Sequence, residues 1–288
     1  MTKKIYFAPT DWADSDIILN DYKYQTPGNS GIWEDLVATD KLDDADYVVI
    51  QDSTRISGQL NRFKKEQLLY FSREALDSQS INNYPSDKFT HFSYWNDTGY
   101  LFTKWSYRNT SYGGTYKSYD ELMNEVISEK TEEICCILSN KEMNEGHRLR
   151  KEFTEKMLNK YPSLHLYGGV SFANKTLPNN NKYDTLVKYK YSLGFDNQDH
   201  IDNFFGTQFT DALLAECCPI FWCGTDLSKY FPEGSFIQLN IRDNNEVERI
   251  IDIIENDDFS KRIPAIKEAK NLLLNKYNIW PTIKNIIK

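Results

Sequence analysis

Arg148, Lys190, Asp196, Asn197, Thr207 and Gln208 are the residues of the second half of the chain whose types and spacing could do chemistry. A guanidinium fork suits phosphate oxygens. An Asp-Asn pair at the end of a strand can hold a turn or a ligand. Thr207 and Gln208 open an apolar-periodic segment, and a helix N-terminus favours anionic groups. In the first half, Glu74 follows the apolar run Leu68-Leu69-Tyr70-Phe71, where a strand would present a carboxylate to a cleft. Trp105, Tyr107 and Arg108 lie in an aromatic-rich stretch, 88–119, whose flat rings and hydroxyls suit sugars. Each has a plain alternative. Glu74 also reads as an exposed loop carboxylate, Arg148 as a solvated residue of a first turn, Lys190 as an edge lysine, and most of the aromatics as packing between domains.

These groups need elements to position them. The run 188–197 reads as a buried strand with a polar exit at Asp196-Asn197, and Gly194 inside it implies a close approach of backbone or ligand. Asn203 or Gly206 caps a helix over 207–216, whose inward face is Phe209, Ala212, Leu213 and Leu214. A second strand, 218–223, stops at Gly224. In open α/β sheets, ligands sit beyond the carboxyl ends of such strands. Further strands are expected at 4–9, 46–51, 68–71, 134–138 and 164–169. Helices are expected at 119–130 with Ser118 as N-cap, and at 147–160, 246–255 and 264–277. The stretch 32–37 reads as a short helix and 59–67 as a polar one. Alternating strands and helices imply parallel sheets. The tail 278–288, with Ile279, Trp280, Ile283, Ile286 and Ile287, is too apolar to stay undocked.

The chain has 288 residues, enough for two ordinary domains or one large one. At 40% hydrophobic and 14% aromatic it can build cores, which excludes a disordered chain. A net charge of -8 argues against a general nucleic-acid or membrane-surface binder, while a local basic patch can still hold a phosphorylated ligand. The five cysteines, Cys135, Cys136, Cys217, Cys218 and Cys223, are odd in number and sit in apolar contexts, so they read as reduced, buried thiols. Neither a Cys-x-x-Cys repeat nor a zinc-type spacing occurs. Asp14-Ser15-Asp16 and Asp44-Ala45-Asp46 are short patterns that arise by chance in an acidic chain, and no essential metal is expected. No run is long and apolar enough to span a membrane.

The order of motifs carries a resemblance. Tyr189-Lys190-Tyr191-Ser192-Leu193-Gly194-Phe195-Asp196-Asn197, then Asp211-Ala212-Leu213, Pro219-Ile220-Phe221-Trp222, Tyr230-Phe231-Pro232 and Ser235-Phe236-Ile237 follow one another within 183–239. In order and gaps this resembles the donor-binding core of the α-1,3/4-fucosyltransferases, glycosyltransferase family 10. Ser139-Asn140 followed by Gly146-His147-Arg148 resembles the family's S-N, gap, G-R element, with Arg150 as the alternative match if the register slips. Trp105-Ser106-Tyr107-Arg108 echoes an aromatic segment, and Ser72-Arg73-Glu74-Ala75 aligns with an acidic motif. Two departures stand out. Thr207-Gln208 occupies the place of a Glu-Lys pair that contacts ribose and diphosphate, and Asp196 replaces a Glu.

The resemblance implies an α/β, GT-B-like fold: two Rossmann-like domains facing across a cleft, with a C-terminal helix returning to the first. Residues 1–128 are expected to form the acceptor-side domain, 129–263 the nucleotide-sugar domain, and 264–288 the returning helical segment. The implied reaction is inverting transfer of fucose from GDP-fucose to a glycan hydroxyl, without a cofactor. Glu74 is the implied base. Arg148, Lys190, Asp196, Asn197, Thr207 and Gln208 are the donor contacts, and Trp105, Tyr107 and Arg108 the acceptor contacts. The alternatives are a sibling using another nucleotide-sugar and a non-catalytic glycan-binding protein. No nucleic-acid partner is expected. The N-terminus enters a strand directly, unlike the anchored Golgi relatives, so a cytoplasmic enzyme of bacterial or viral type is expected.

Overall fold

A computed structural model describes residues 1–11, 13–71, 117–127, 129–178 and 182–287. Glu74, Trp105, Tyr107 and Arg108 lie outside the described residues. The chain forms two compact units, one from 1–71, 117–124 and 274–287, the other from 125–178 and 182–273.

The first unit contains β1 (Lys3–Phe7), α1 (Ser15–Lys23), β2 (Ile32–Trp33), β3 (Leu36–Thr39), β4 (Tyr47–Gln51), β5 (Leu68–Phe71), α2 (Tyr119–Asn124) and the last helix, α8 (Ile279–Ile286). The sheet order is β2-β3-β1-β4-β5, parallel except for β2. Residues alternate across it. Tyr6, Ala8, Val48, Ile50 and Tyr70 pack on one face with Leu60 and Leu68. On the other face Phe7 stacks on Tyr22 of α1 at 4.3 Å and meets the edge of Trp280 of α8 at 5.4 Å. Trp280 is fully buried, and its Nε1 donates to the Tyr22 carbonyl at 2.9 Å. The apolar tail is thus part of this unit's core.

The expected helix at 32–37 is a hairpin instead. Ile32 pairs with Val37 and Trp33 with Leu36, closed by a tight turn in which Glu34 has φ 54. Ile32, Trp33, Leu36 and Val37 sit at spacings that a helix also produces. The pull of Leu36 into the core beside β1 decides for a strand. The segment 59–67 is broken into 3₁₀ turns, Ser57–Arg62 and Lys65–Gln67. The helix expected at 119–130 ends at Asn124. Ser118 does cap it: its Oγ accepts from Glu121 N–H, while the Glu121 carboxylate accepts from Ser118 N–H at 2.7 Å.

The second unit contains β6 (Glu132–Leu138), α3 (Glu145–Lys160), β7 (His165–Gly168), α4 (Lys182–Leu186), β8 (Tyr189–Phe195), α5 (Thr207–Leu214), β9 (Cys218–Trp222), β10 (Ile237–Gln238), α6 (Glu246–Asn256) and most of α7 (Ile263–Asn275). Its strands run parallel in the order β10-β9-β8-β6-β7. After β6 the chain steps to one side for β7, then crosses back for β8, β9 and β10. The reversal falls between β6 and β8. Phe209 of α5 packs against Phe205, Phe221 and Phe231 at 5.1–5.3 Å, and Phe153 of α3 meets Phe195 on the opposite face at 6.1 Å. The five cysteines are free and buried, and burial pushes the thiols of Cys136 and Cys217 up to about 12. Among the described residues no helix is long and apolar enough to cross a membrane.

Candidate functional site

Where strand order reverses, helices leave on opposite faces of the sheet and a crevice opens at the carboxyl ends of the two flanking strands. In the second unit these ends are Leu138, followed by Ser139, and Phe195, followed by Asp196 and Asn197. Alternation along β8 sends these residues to different sides. Phe195 and Asn197 meet α3, whereas Gly194 and Asp196 face α5.

On the α3 side the organising group is Arg150, which is only 4% exposed. Its Nη2 donates to Ser139 Oγ at 2.8 Å and its Nη1 to Asn197 Oδ1 at 3.1 Å. One guanidinium therefore spans the exits of β6 and β8. Burial lowers its pKa, with the Cys136 and Asp196 side chains acting the other way; a guanidinium still remains charged at neutral pH. Arg150 Nε and, in the loop after β8, Gln198 Nε2 are buried donors without a hydrogen-bond partner among the described residues. Such groups are rare in folded proteins and call for a reason.

The start of α3 supports this arrangement. Asn144 caps it, its Oδ1 accepting from His147 N–H at 3.0 Å and meeting His147 Nδ1 at 2.6 Å. Burial, with Arg150 and Lys141 nearby, brings the His147 pKa down to about 4, so its imidazole is neutral at pH 7. Arg242 holds the rim, donating from Nε to Asp199 at 2.7 Å and from Nη1 to Glu145 at 3.0 Å.

On the α5 side, Gly206 caps the helix and its N–H donates to Asp196 Oδ1 at 2.8 Å. A Cβ at Gly206 would fall 2.6 Å from that oxygen, so any larger residue there would have to displace the Asp196 carboxylate. Thr207 is the half-buried first residue of α5. The Gln208 carboxamide points back to the sheet: Oε1 accepts from Phe195 N–H at 2.9 Å and Nε2 donates to the Ile137 carbonyl at 3.0 Å.

The structure thus brings Asp196, Asn197, Thr207 and Gln208 to one crevice, and it separates the other two. Arg148 is exposed on the outer face of α3. Lys190 is the second residue of β8, about 16 Å of strand from Phe195, and its Nζ pairs with Glu133 at 2.8 Å. With Lys130, Glu216 and Asp257 it lines a separate cavity of about 430 Å³. Arg150, the alternative match, is the buried one. Helical spacing carried the signal: Gly146, Arg150, Phe153 and Met157 share a face, and Arg148 does not. No pattern in the sequence announced the hydrogen bonds of Gln208.

Residues 127–260 match the family model described as glycosyltransferase family 10 (fucosyltransferase), C-terminal. No curated protein sequence matches the chain. A crystal structure of an α1,3-fucosyltransferase superposes with a TM-score of 0.55 at 15% identity, over 100% of this chain and 90% of that one. A crystal structure of an α1,3-fucosyltransferase with GDP gives 0.50 at 15% identity, over 99% and 90%. At such identity the superpositions speak for the fold. With its motif order, the match supports the resemblance to glycosyltransferase family 10: within a GT-B-like fold, residues 127–260 are similar to the C-terminal region of that family's model.

Proposed function

We propose that this chain is a glycosyltransferase that moves fucose from GDP-fucose to a hydroxyl of a glycan acceptor. The observation that carries the reading is Arg150, a buried cation spanning the exits of β6 and β8 at the point of strand reversal, inside the matched domain. A bidentate guanidinium suits a diphosphate leaving group. The unpartnered donor Arg150 Nε supports an electron-rich ligand there. The GDP bound to an α1,3-fucosyltransferase of the same fold supports a guanine nucleotide.

In the proposed reaction the acceptor oxygen attacks the anomeric carbon, its proton passes to a carboxylate, and the bond to the diphosphate breaks, inverting the configuration. Glu74 is the proposed base, with Trp105, Tyr107 and Arg108 as acceptor contacts, all by the family resemblance. By the same resemblance, residues 1–128 take the acceptor and residues 129–263 the nucleotide-sugar. Arg150 and the N-termini of α3 and α5 stabilise the departing charge, with Asp196, Asn197 and Thr207 beside it. Arg148 and Lys190 drop out of the proposed donor set, one for exposure and the other for distance. No metal is required in this scheme. Of the Asp-x-Asp residues, Asp14 pairs with Arg55, Asp44 with Lys4 Nζ, and Asp46 with Lys4 N–H, and turnover should be unchanged by EDTA.

A second reading keeps the chemistry and changes the donor. It is favoured by Gln208, an uncharged side chain already engaged by backbone where the family has a lysine. A thermal-shift panel of GDP, UDP, CMP and their sugars tests both, since a ligand of the native state raises Tm. A selective rise with GDP supports fucosyl transfer, and a selective rise with UDP or CMP assigns another donor. Silence throughout counts against both readings, in favour of a non-catalytic glycan binder.

A further inference from the structure

β6 and β8 pair only as far as Cys136 and Leu193. Both strands nevertheless run on, β6 to Leu138 beside β7 and β8 to Phe195 beside β9. The two central strands therefore part over their last residues while their outer neighbours stay attached. The backbone groups that a further rung would use, Phe195 N–H and the Ile137 carbonyl, are joined instead through the Gln208 carboxamide, at 2.9 and 3.0 Å. A carboxamide carries the acceptor and donor of a peptide group, so it enters the ladder as a rung without adding chain. Gly194 beside it admits the Phe221 ring, which a Cβ would meet at 2.9 Å, while Gln208 Cβ would lie at 3.4 Å, an ordinary contact. On the opposite face, Arg150 spans the residues just beyond the same gap.

We propose that Gln208 is a positioning residue: its carboxamide holds β6 and β8 apart at their carboxyl ends and so sets the width of the crevice that receives the diphosphate of the nucleotide-sugar. This rests on the reading under Proposed function. Gln208 acts through the backbone and Arg150. If the strands zip closed, Ser139 and Asn197 change their separation and the guanidinium between them loses its placement.

Gln208→Glu and Gln208→Met separate this role from a charge effect. A protonated carboxyl can accept from Phe195 N–H and donate to the Ile137 carbonyl, as the carboxamide does. A carboxylate cannot donate and faces a carbonyl oxygen. GDP binding to the full chain is measured by calorimetry from pH 5 to pH 8, at a temperature where circular dichroism shows each variant folded. Each affinity is taken as a ratio to wild type at the same pH, which cancels the titration of GDP itself. Gln208→Glu is expected to bind about tenfold more weakly than wild type at pH 8 and to approach it at pH 5. Gln208→Met is expected to be weaker by a similar ratio at every pH. Affinities within about twofold of wild type for both variants, or normal binding by Gln208→Met with a defect only in Gln208→Glu, overturn the proposal while leaving the donor reading intact. Failure of wild type itself to bind GDP removes the GDP reading and this inference with it.

Discussion

A Cβ added to Gly146 would lie 1.9 Å from the main-chain oxygen of Asn197 and 2.4 Å from its carbonyl carbon. The first turn of α3 is thus seated directly on the backbone leaving β8. One turn later on the same helix face stands Arg150, whose guanidinium meets the side chain of that same Asn197 at 3.1 Å. The glycine fixes where the helix begins, and the helix fixes where the cation goes.

Gly146→Ala should therefore damage the second unit. Neither obstructing atom belongs to a side chain that can swing away, so helix or loop must move. The expected loss is about 3 kcal/mol, at the upper end for overpacking. Urea unfolding followed by circular dichroism checks it.

Arg150→Met and Arg148→Met should behave differently. The first removes a buried cation from the crevice and is expected to weaken nucleotide binding by about 10- to 100-fold, the range for a charge-assisted hydrogen bond. The second alters an exposed side chain and should leave affinity within about twofold. Calorimetric titration with the nucleotide selected by the thermal-shift panel distinguishes them.

His147 gives stability a pH dependence of known sign. Its folded pKa, about 4, lies below the ordinary histidine value of 6.5, so between these values the unfolded chain binds the extra proton. Its contribution is fully present above pH 6.5 and is lost as pH falls towards 4, to a total of at most about 3 kcal/mol. His147→Asn keeps a donor near the Nδ1 position and cannot titrate. The stability difference between wild type and variant should shift in favour of the variant as pH falls from 7 to 4, measured by urea melts at each pH.

Trp280→Ala should cost about 3–5 kcal/mol, the range for removing a large buried aromatic. It deletes the contact with Phe7 and the hydrogen bond to the Tyr22 carbonyl, both inside the first unit. Biphasic denaturation is expected, with one transition shifted and the other in place.

The second unit was largely legible in the sequence because its strands are buried apolar runs, and its helices carry their apolar residues at 3.6-residue spacing. Asp196-Asn197 and the start of α5 fell where the pattern put them. The hairpin at 32–37 was not legible, because its decisive fact is tertiary: Leu36 belongs beside β1. A motif counts along the chain and so points to Arg148, whereas burial follows the helix face and falls on Arg150. Lys190 lies on β8 but towards its amino end, and a strand carries a residue away from a crevice by about 3.3 Å per step. Gln208 reads as a ligand contact from its motif position. Only coordinates reveal that both ends of its amide meet the backbone.

The docking of Trp280 onto Tyr22 joins residues 258 positions apart. During synthesis the amino-terminal β-strands emerge early, at about 5–20 residues per second, yet the wall that closes one side of their sheet leaves the ribosome only after the second unit. The second unit, which lies between those strands and Trp280 in sequence, can finish first. The nascent first unit must wait, half-built and with Phe7 uncovered, while the portion of the chain encoded after it completes its own fold.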